Sequence, residues 1–126
     1  MLTKEKLKEF ANSRGCLLGV ANIERFDGAP QVMHPSTIFP EAKSVIVLAR
    51  RIPRGSLRGI EEGTYWPSYT YFGYHGLLNS FFIPKVVYEV ACFIEDHGFE
   101  AVPYYPGVPE AQPPRRPLRE GFPPPD

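Results

Sequence analysis

Residues 65–76, YWPSYTYFGYHG, gather Tyr65, Trp66, Tyr69, Tyr71, Phe72 and Tyr74 beside His75. Rings with apolar faces and polar tips suit a half-buried wall against a large planar ligand, or a subunit interface. An aromatic layer roofing a sheet would use the same residues. A second group, Arg50, Arg51, Arg54 and Arg58 in RRIPRGSLR, follows the most strand-like run of the chain. Open α/β sheets bind ligands beyond the carboxyl ends of their strands, so these guanidinium groups could hold phosphate or carboxylate. A charged strand exit that keeps a sheet edge in water is the simpler explanation. Glu61 and Glu62 could serve acid–base chemistry, but adjacent carboxylates in a polar stretch are ordinarily just solvated. HPSTIFPEAK offers His34, Ser36 and Glu41 without the strand–turn–helix pattern of a nucleophile elbow. His97 stands before Gly98 at a helix end, where a cation interacts favourably with the last carbonyls.

Other chemistries lack their residues. The two cysteines, Cys16 and Cys92, lie far apart in apolar stretches and read as small buried hydrophobes. No CxxC set, no GxGxxG after a strand and no GxxxxGK[ST] occurs, which argues against zinc or iron–sulfur ligation by this chain and against dinucleotide or P-loop sites. With 14 basic and 14 acidic residues the formal net charge is zero, so no overall field draws nucleic acid or an anionic membrane. No apolar run is expected to reach the ~18 residues of a membrane span. The N-terminal stretch has acidic residues and no apolar signal core, so a cytoplasmic protein is expected.

The elements that would position these groups follow from periodicity. At 126 residues and 43% hydrophobic content the chain can bury one ordinary core. Thr3 as N-cap, an apolar stripe at Leu7, Phe10 and Ala11, and Gly15 just past the end predict an N-terminal helix. CLLGVANI (16–23) and SVIVLARRI (44–52) predict strands, separated by the DGAP turn and a one-turn helix within HPSTIFPEAKS. Residues 53–64 are polar and glycine-punctuated and read as an exposed loop. A long helix is expected from Tyr74 to His97, kinked or broken at Pro84. A third strand is expected at 99–104. The order α-β-β-α-β predicts an α/β (α+β) fold: a small mixed sheet with a βαβ unit, an N-terminal helix and one long helix. Residues 1–102 would form this domain. Residues 103–126, with nine prolines in 24 positions, would form an extended tail or linker.

The order of motifs resembles the N-terminal region of epoxyqueuosine reductase and the related cobalamin-dependent, reductive-dehalogenase-like iron–sulfur proteins. GCLLGVANIERF (15–26), HPSTIFPEAKSVIVLARRIP (34–53), the Y…GYHGLL stretch (69–78) and FIEDHGFEAVPY (93–104) carry the likeness. The resemblance implies an oxidoreductase whose complete form holds a corrinoid in an α/β domain and two [4Fe–4S] clusters in a ferredoxin-like C-terminal portion. Tyr69, Tyr74 and His75 would then lie at or beside the cobalamin-facing wall. The pattern departs in two places. The acidic proton donor expected after the third strand is absent from VPYYPGVPE, and an Arg-Asp pair before YH is replaced by Phe72 and Gly73. The chain is therefore expected to be the N-terminal part of such a protein, redox-inactive by itself, with the ferredoxin-like portion as its missing partner. The alternative is a non-enzymatic interaction module. Its aromatic strip would make a homo-oligomer, and its Pro-rich tail, with PPRRP, would dock an aromatic groove.

Overall fold

The structure is a computed structural model and describes residues 1–74 and 76–105, Tyr74 by its backbone alone. Its described part forms a small mixed α/β fold, as the order of elements led us to expect. Helix α1 spans Lys4–Ser13. The extended Thr3 caps it, its hydroxyl accepting from the Lys6 N–H at 3.1 Å, and Glu5 complements the positive end of the helix dipole. Leu7 and Ala11 are buried, and Phe10 stacks on Phe93 with ring centroids 4.4 Å apart. Gly15 takes the left-handed conformation at φ 84°. The Cys16 N–H then donates to the Ala11 carbonyl at 2.9 Å, which turns Cys16 into the core.

Strands β1 (Leu17–Asn22) and β2 (Ser44–Ala49) pair antiparallel, and the Ile23 N–H donates to the Lys43 carbonyl at the loop end of the pair. Alternation sends Leu18, Val20, Ile46 and Leu48 into the core with Leu7, Ala11, Cys16, Val86, Val90 and Ile94. Leu17 and Val47 are left outside, 70% and 57% exposed.

The expected third strand and its βαβ unit are not formed among the described residues, where the sheet has two strands only. In the segment after Gly98 only Ala101 packs on the core, Phe99 and Val102 are exposed, and Pro103 has no N–H to give to a ladder.

The expected loop at 53–64 is also corrected, because it contains helix α2, Gly55–Glu62. Arg58 pairs with Glu62 one turn on, and Arg54 pairs with Glu61. The helix ends at Gly63, left-handed at φ 69°. Beyond it the Thr64 and Tyr65 N–H groups fold back onto the Gly59 carbonyl at 2.8 and 3.3 Å. Glycine at 59 is what lets the Tyr65 backbone lie against the helix.

The expected long helix is shorter and is preceded by irregular turns. Short helix α3 (Pro67–Tyr69) leads into wide, π-type turns at Thr70–Tyr74 and Leu78–Phe82, and helix α4 runs from Ile83 to Asp96. Pro84 sits in the first turn of α4, where the π-type turn gives way to regular α-helix and the chain stays helical through it. The wide turn just before it carries the extra residue that relieves the clash a proline makes with the preceding turn. Gly76, left-handed at φ 58°, turns the chain between the two wide turns, and Phe72 stacks on Phe82 at 6.4 Å. The stretch Pro67–Asp96 contains an 18-residue window of mean hydropathy 1.5, long and apolar enough to cross a membrane by length and composition. That corrects the expectation that no such run exists. Four residues of α4, Val86, Val90, Ala91 and Ile94, are nonetheless buried inside the protein.

Two compact units divide the chain. The first comprises Met1–Val20 and Ile46–Pro103 and holds the core just described. In the second, Ala21–Val45 is a series of capped short turns. Asn22 caps Ile23–Phe26 through the Glu24 N–H, and the Ala29 N–H closes the DGAP turn onto Phe26. The Pro-rich stretch 106–126 falls outside the described residues.

Candidate functional site

The groups singled out in the sequence divide into those tied up locally and those left facing solvent. His34 Nδ1 accepts the Ser36 N–H at 3.1 Å and lies 2.9 Å from the Ser36 hydroxyl, so the imidazole caps the 3-10 turn Pro35–Thr37. Glu41 is exposed. Glu61 and Glu62 are occupied by arginines of their own helix, as are Arg54 and Arg58 by them. His97 ends α4, its Nδ1–H donating to the Phe93 carbonyl at 2.8 Å, which is the structural role expected of it. Cys16 is buried in the core, whereas Cys92 is only half-buried on α4, and both are free thiols. The Cys92 side chain, one turn on, holds the Tyr88 phenol above its usual range, by hydrogen bonding first and charge repulsion second.

Of the cofactor-facing residues expected, Tyr69 is half-buried at the end of α3, its ring close against Gly73. Tyr74 belongs to the first wide turn, and His75 lies outside the described residues. Tyr65, Trp66, Tyr71 and Phe72 stand between 41% and 64% exposed, with no second wall over them among the described residues. A macrocycle held tightly would be buried over roughly 70–90% of its surface, and this open strip does not do that alone. A [4Fe–4S] cluster fares no better. Cys16 and Cys92 sit on different elements, and among the described residues no three His, Cys, Asp or Glu side chains converge.

The described residues build a groove along α4 that borders the core at Val86. The last residues of α1, β2, the second wide turn and α4 meet there. Arg14, Arg50, Phe81, Phe82, Lys85 and Glu89 line about 820 Å³ together with Val86 and Tyr88. Arg50, just past the end of β2, donates through Nη1 to the Arg14 carbonyl at 3.0 Å, and its guanidinium lies 5.7 Å from the Phe82 ring centroid. Arg14 reaches the Glu89 carboxylate at 2.6 Å and covers the Phe10 ring at 4.9 Å. Lys85 approaches the other Glu89 oxygen at 3.8 Å. Two cations thus share one carboxylate, with Arg50 beside them, in a chain of zero net charge, next to Phe81 and Phe82, whose rings meet edge-on at 5.4 Å.

Sequence reasoning found one member of this group, Arg50, and for a related reason: it lies at the carboxyl end of a strand. A signal for the groove was present in the spacing. Phe81, Lys85 and Glu89 recur every four residues, and so trace one face of the helix, beside the buried series Leu78, Val86, Val90 and Ile94. Comparison with protein-family models, curated proteins and solved structures gives no match for this chain.

Proposed function

We propose that this chain is the N-terminal, structural part of a corrinoid- and iron–sulfur-dependent reductase of the epoxyqueuosine reductase-like kind, working in the cytoplasm. In this reading it has no redox activity until a ferredoxin-like portion is joined to it. One observation carries the reading: the first unit leaves apolar surface where a larger domain would continue. Leu17 and Val47 project from the outer face of a two-stranded sheet, and Tyr65, Trp66 and Tyr71 stand out from the turns before α4. Patches of this kind on a folded unit mark a surface made for another surface. Of the stretches that carry the resemblance, GCLLGVANIERF enters β1, HPSTIFPEAKSVIVLARRIP includes β2 and FIEDHGFEAVPY starts in α4, although the strand expected at its end is not formed among the described residues.

Titration of the chain with hydroxocobalamin tests the reading. The visible spectrum should be unchanged with the chain alone and perturbed when the ferredoxin-like C-terminal portion of an epoxyqueuosine reductase is supplied in trans. An unchanged spectrum with both present sinks it.

The exposed strip also supports a second reading, an interaction module that binds another copy of itself. Sedimentation separates the two. A dimer that survives dilution and is lost on Tyr71→Ser favours the module, and a monomer with either sequence removes it.

A further inference from the structure

We infer that the groove between α1, the end of β2 and α4 binds a phosphomonoester carried on a flat ring system, the chemistry of a nucleoside monophosphate. The inference does not depend on the reductase reading, because none of its residues comes from the strip assigned to the corrinoid. Charge is the first reason. Arg14, Arg50 and Lys85 face Glu89 alone, leaving the groove two positive charges in excess, the complement of a phosphomonoester dianion. Preorganisation is the second. Arg50 is half-buried and held at Nη1 by the Arg14 carbonyl and against Phe82 by its flat face. Its Nε and Nη2 groups have no hydrogen-bond partner among the described residues, and they form the edge that grips two phosphate oxygens. Glu89 fixes Arg14 and Lys85 from the opposite side instead of neutralising Arg50. Shape is the third. Phe81 is 52% exposed and edge-on to Phe82, a free ring face beside the cations on which a base can stack. The volume, about 820 Å³, falls within the range of small-molecule sites, roughly 300–1,000 Å³.

The full chain, titrated at low ionic strength with adenosine 5′-monophosphate, adenosine and inorganic phosphate while amide NMR shifts are followed, tests this. Adenosine monophosphate should bind at least tenfold more tightly than either part alone, shifting residues 81–89, and should weaken as salt rises (~10 Å screening length at 0.1 M). Arg50→Gln and the exposed Lys85→Gln should each weaken it roughly tenfold while leaving adenosine unaffected. Phe81→Ala should weaken the nucleotide and adenosine but not phosphate. Lys85→Gln lies at a solvent-facing position, so its result stands even if Arg50→Gln disturbs folding. No shifts with the nucleotide, equal affinity for adenosine, or indifference to Lys85→Gln would each overturn the assignment.

Discussion

Replacing glycine by alanine at two positions of one helix should give effects of opposite sign. In a helix interior, alanine is ordinarily better than glycine by about 0.5–1 kcal/mol, because glycine loses more backbone freedom on folding. At Gly55 an added methyl meets nothing within 4 Å, so Gly55→Ala should be neutral or stabilising by up to that amount. At Gly59 the same methyl would overlap the Tyr65 carbonyl oxygen and come within 2.7 Å of the carbonyl carbon. Backbone cannot yield as a flexible side-chain end can, so the chain after α2 must retreat. Retreat breaks the bonds from the Thr64 and Tyr65 N–H groups to the Gly59 carbonyl. At about 0.5–1.5 kcal/mol net for each hydrogen bond, Gly59→Ala should destabilise by roughly 1–3 kcal/mol. Urea unfolding measures both variants. Trp66, the only tryptophan, adds a local probe, because it follows directly on the segment that must move. Its emission should shift in Gly59→Ala and stay unchanged in Gly55→Ala. Equal stability and equal emission in the two variants would refute the claim that α2 is closed down on the start of the aromatic strip.

Thr3→Ala removes the side-chain acceptor for the Lys6 N–H and should cost about 0.5–2 kcal/mol of stability in urea unfolding, with Thr3→Ser restoring most of it. Ile94→Ala empties a buried core position and should cost about 2–5 kcal/mol. Followed at 295 nm, Tyr88 should titrate above the ordinary phenol range, and Cys92→Ala should bring it back down. Because folding raises this pKa, the Tyr88–Cys92 interaction stabilises the fold below the unfolded phenol pKa. The contribution is lost as pH rises through the folded value.

What could be read in advance was whatever depends on neighbours along the chain. Thr3, Leu7, Ala11 and Gly15 state a capped amphipathic helix in local terms, and the structure contains it. The runs around Leu18 and Ile46 are strand-forming by composition, and they pair. The failures share a cause, which is that distant backbone decides them. Gly55, Gly59 and Gly63 argue for a loop until it is known that Tyr65 returns to Gly59, a contact that excludes a side chain there without ending the helix. Residues 99–103 look like a strand by their apolar content, but a ladder needs donors, and Pro103 lacks one. The groove was the hardest part to foresee. Arg14, Arg50 and Lys85 lie on three elements and become one site only through the Arg14 carbonyl and the Glu89 carboxylate.

The outer face of α4 also bears on how the apolar stretch Pro67–Asp96 is used. Lys85 and Glu89 sit near the middle of a window running from Leu77 to Ile94, the depth at which a lone charge in a bilayer costs about 2.5–3.5 kcal/mol by insertion measurements. An i,i+4 pair could lessen that cost if its members satisfied only each other. Here Glu89 is engaged more closely by Arg14 of α1, at 2.6 Å against 3.8 Å for Lys85, so lipid contact would have to remove a second element's cation as well. The opposite face is already occupied, since Val86, Val90 and Ile94 pack with Leu7, Ala11, Cys16 and Leu18. The core thus takes up part of the apolar stretch on one side, 28% of the window being buried. On the other side Lys85 and Glu89 offset each other, and the groove's net positive character comes from Arg14 and Arg50, outside the stretch. A helix in this setting packs one face on α1 and the sheet and holds Lys85 and Glu89 on another.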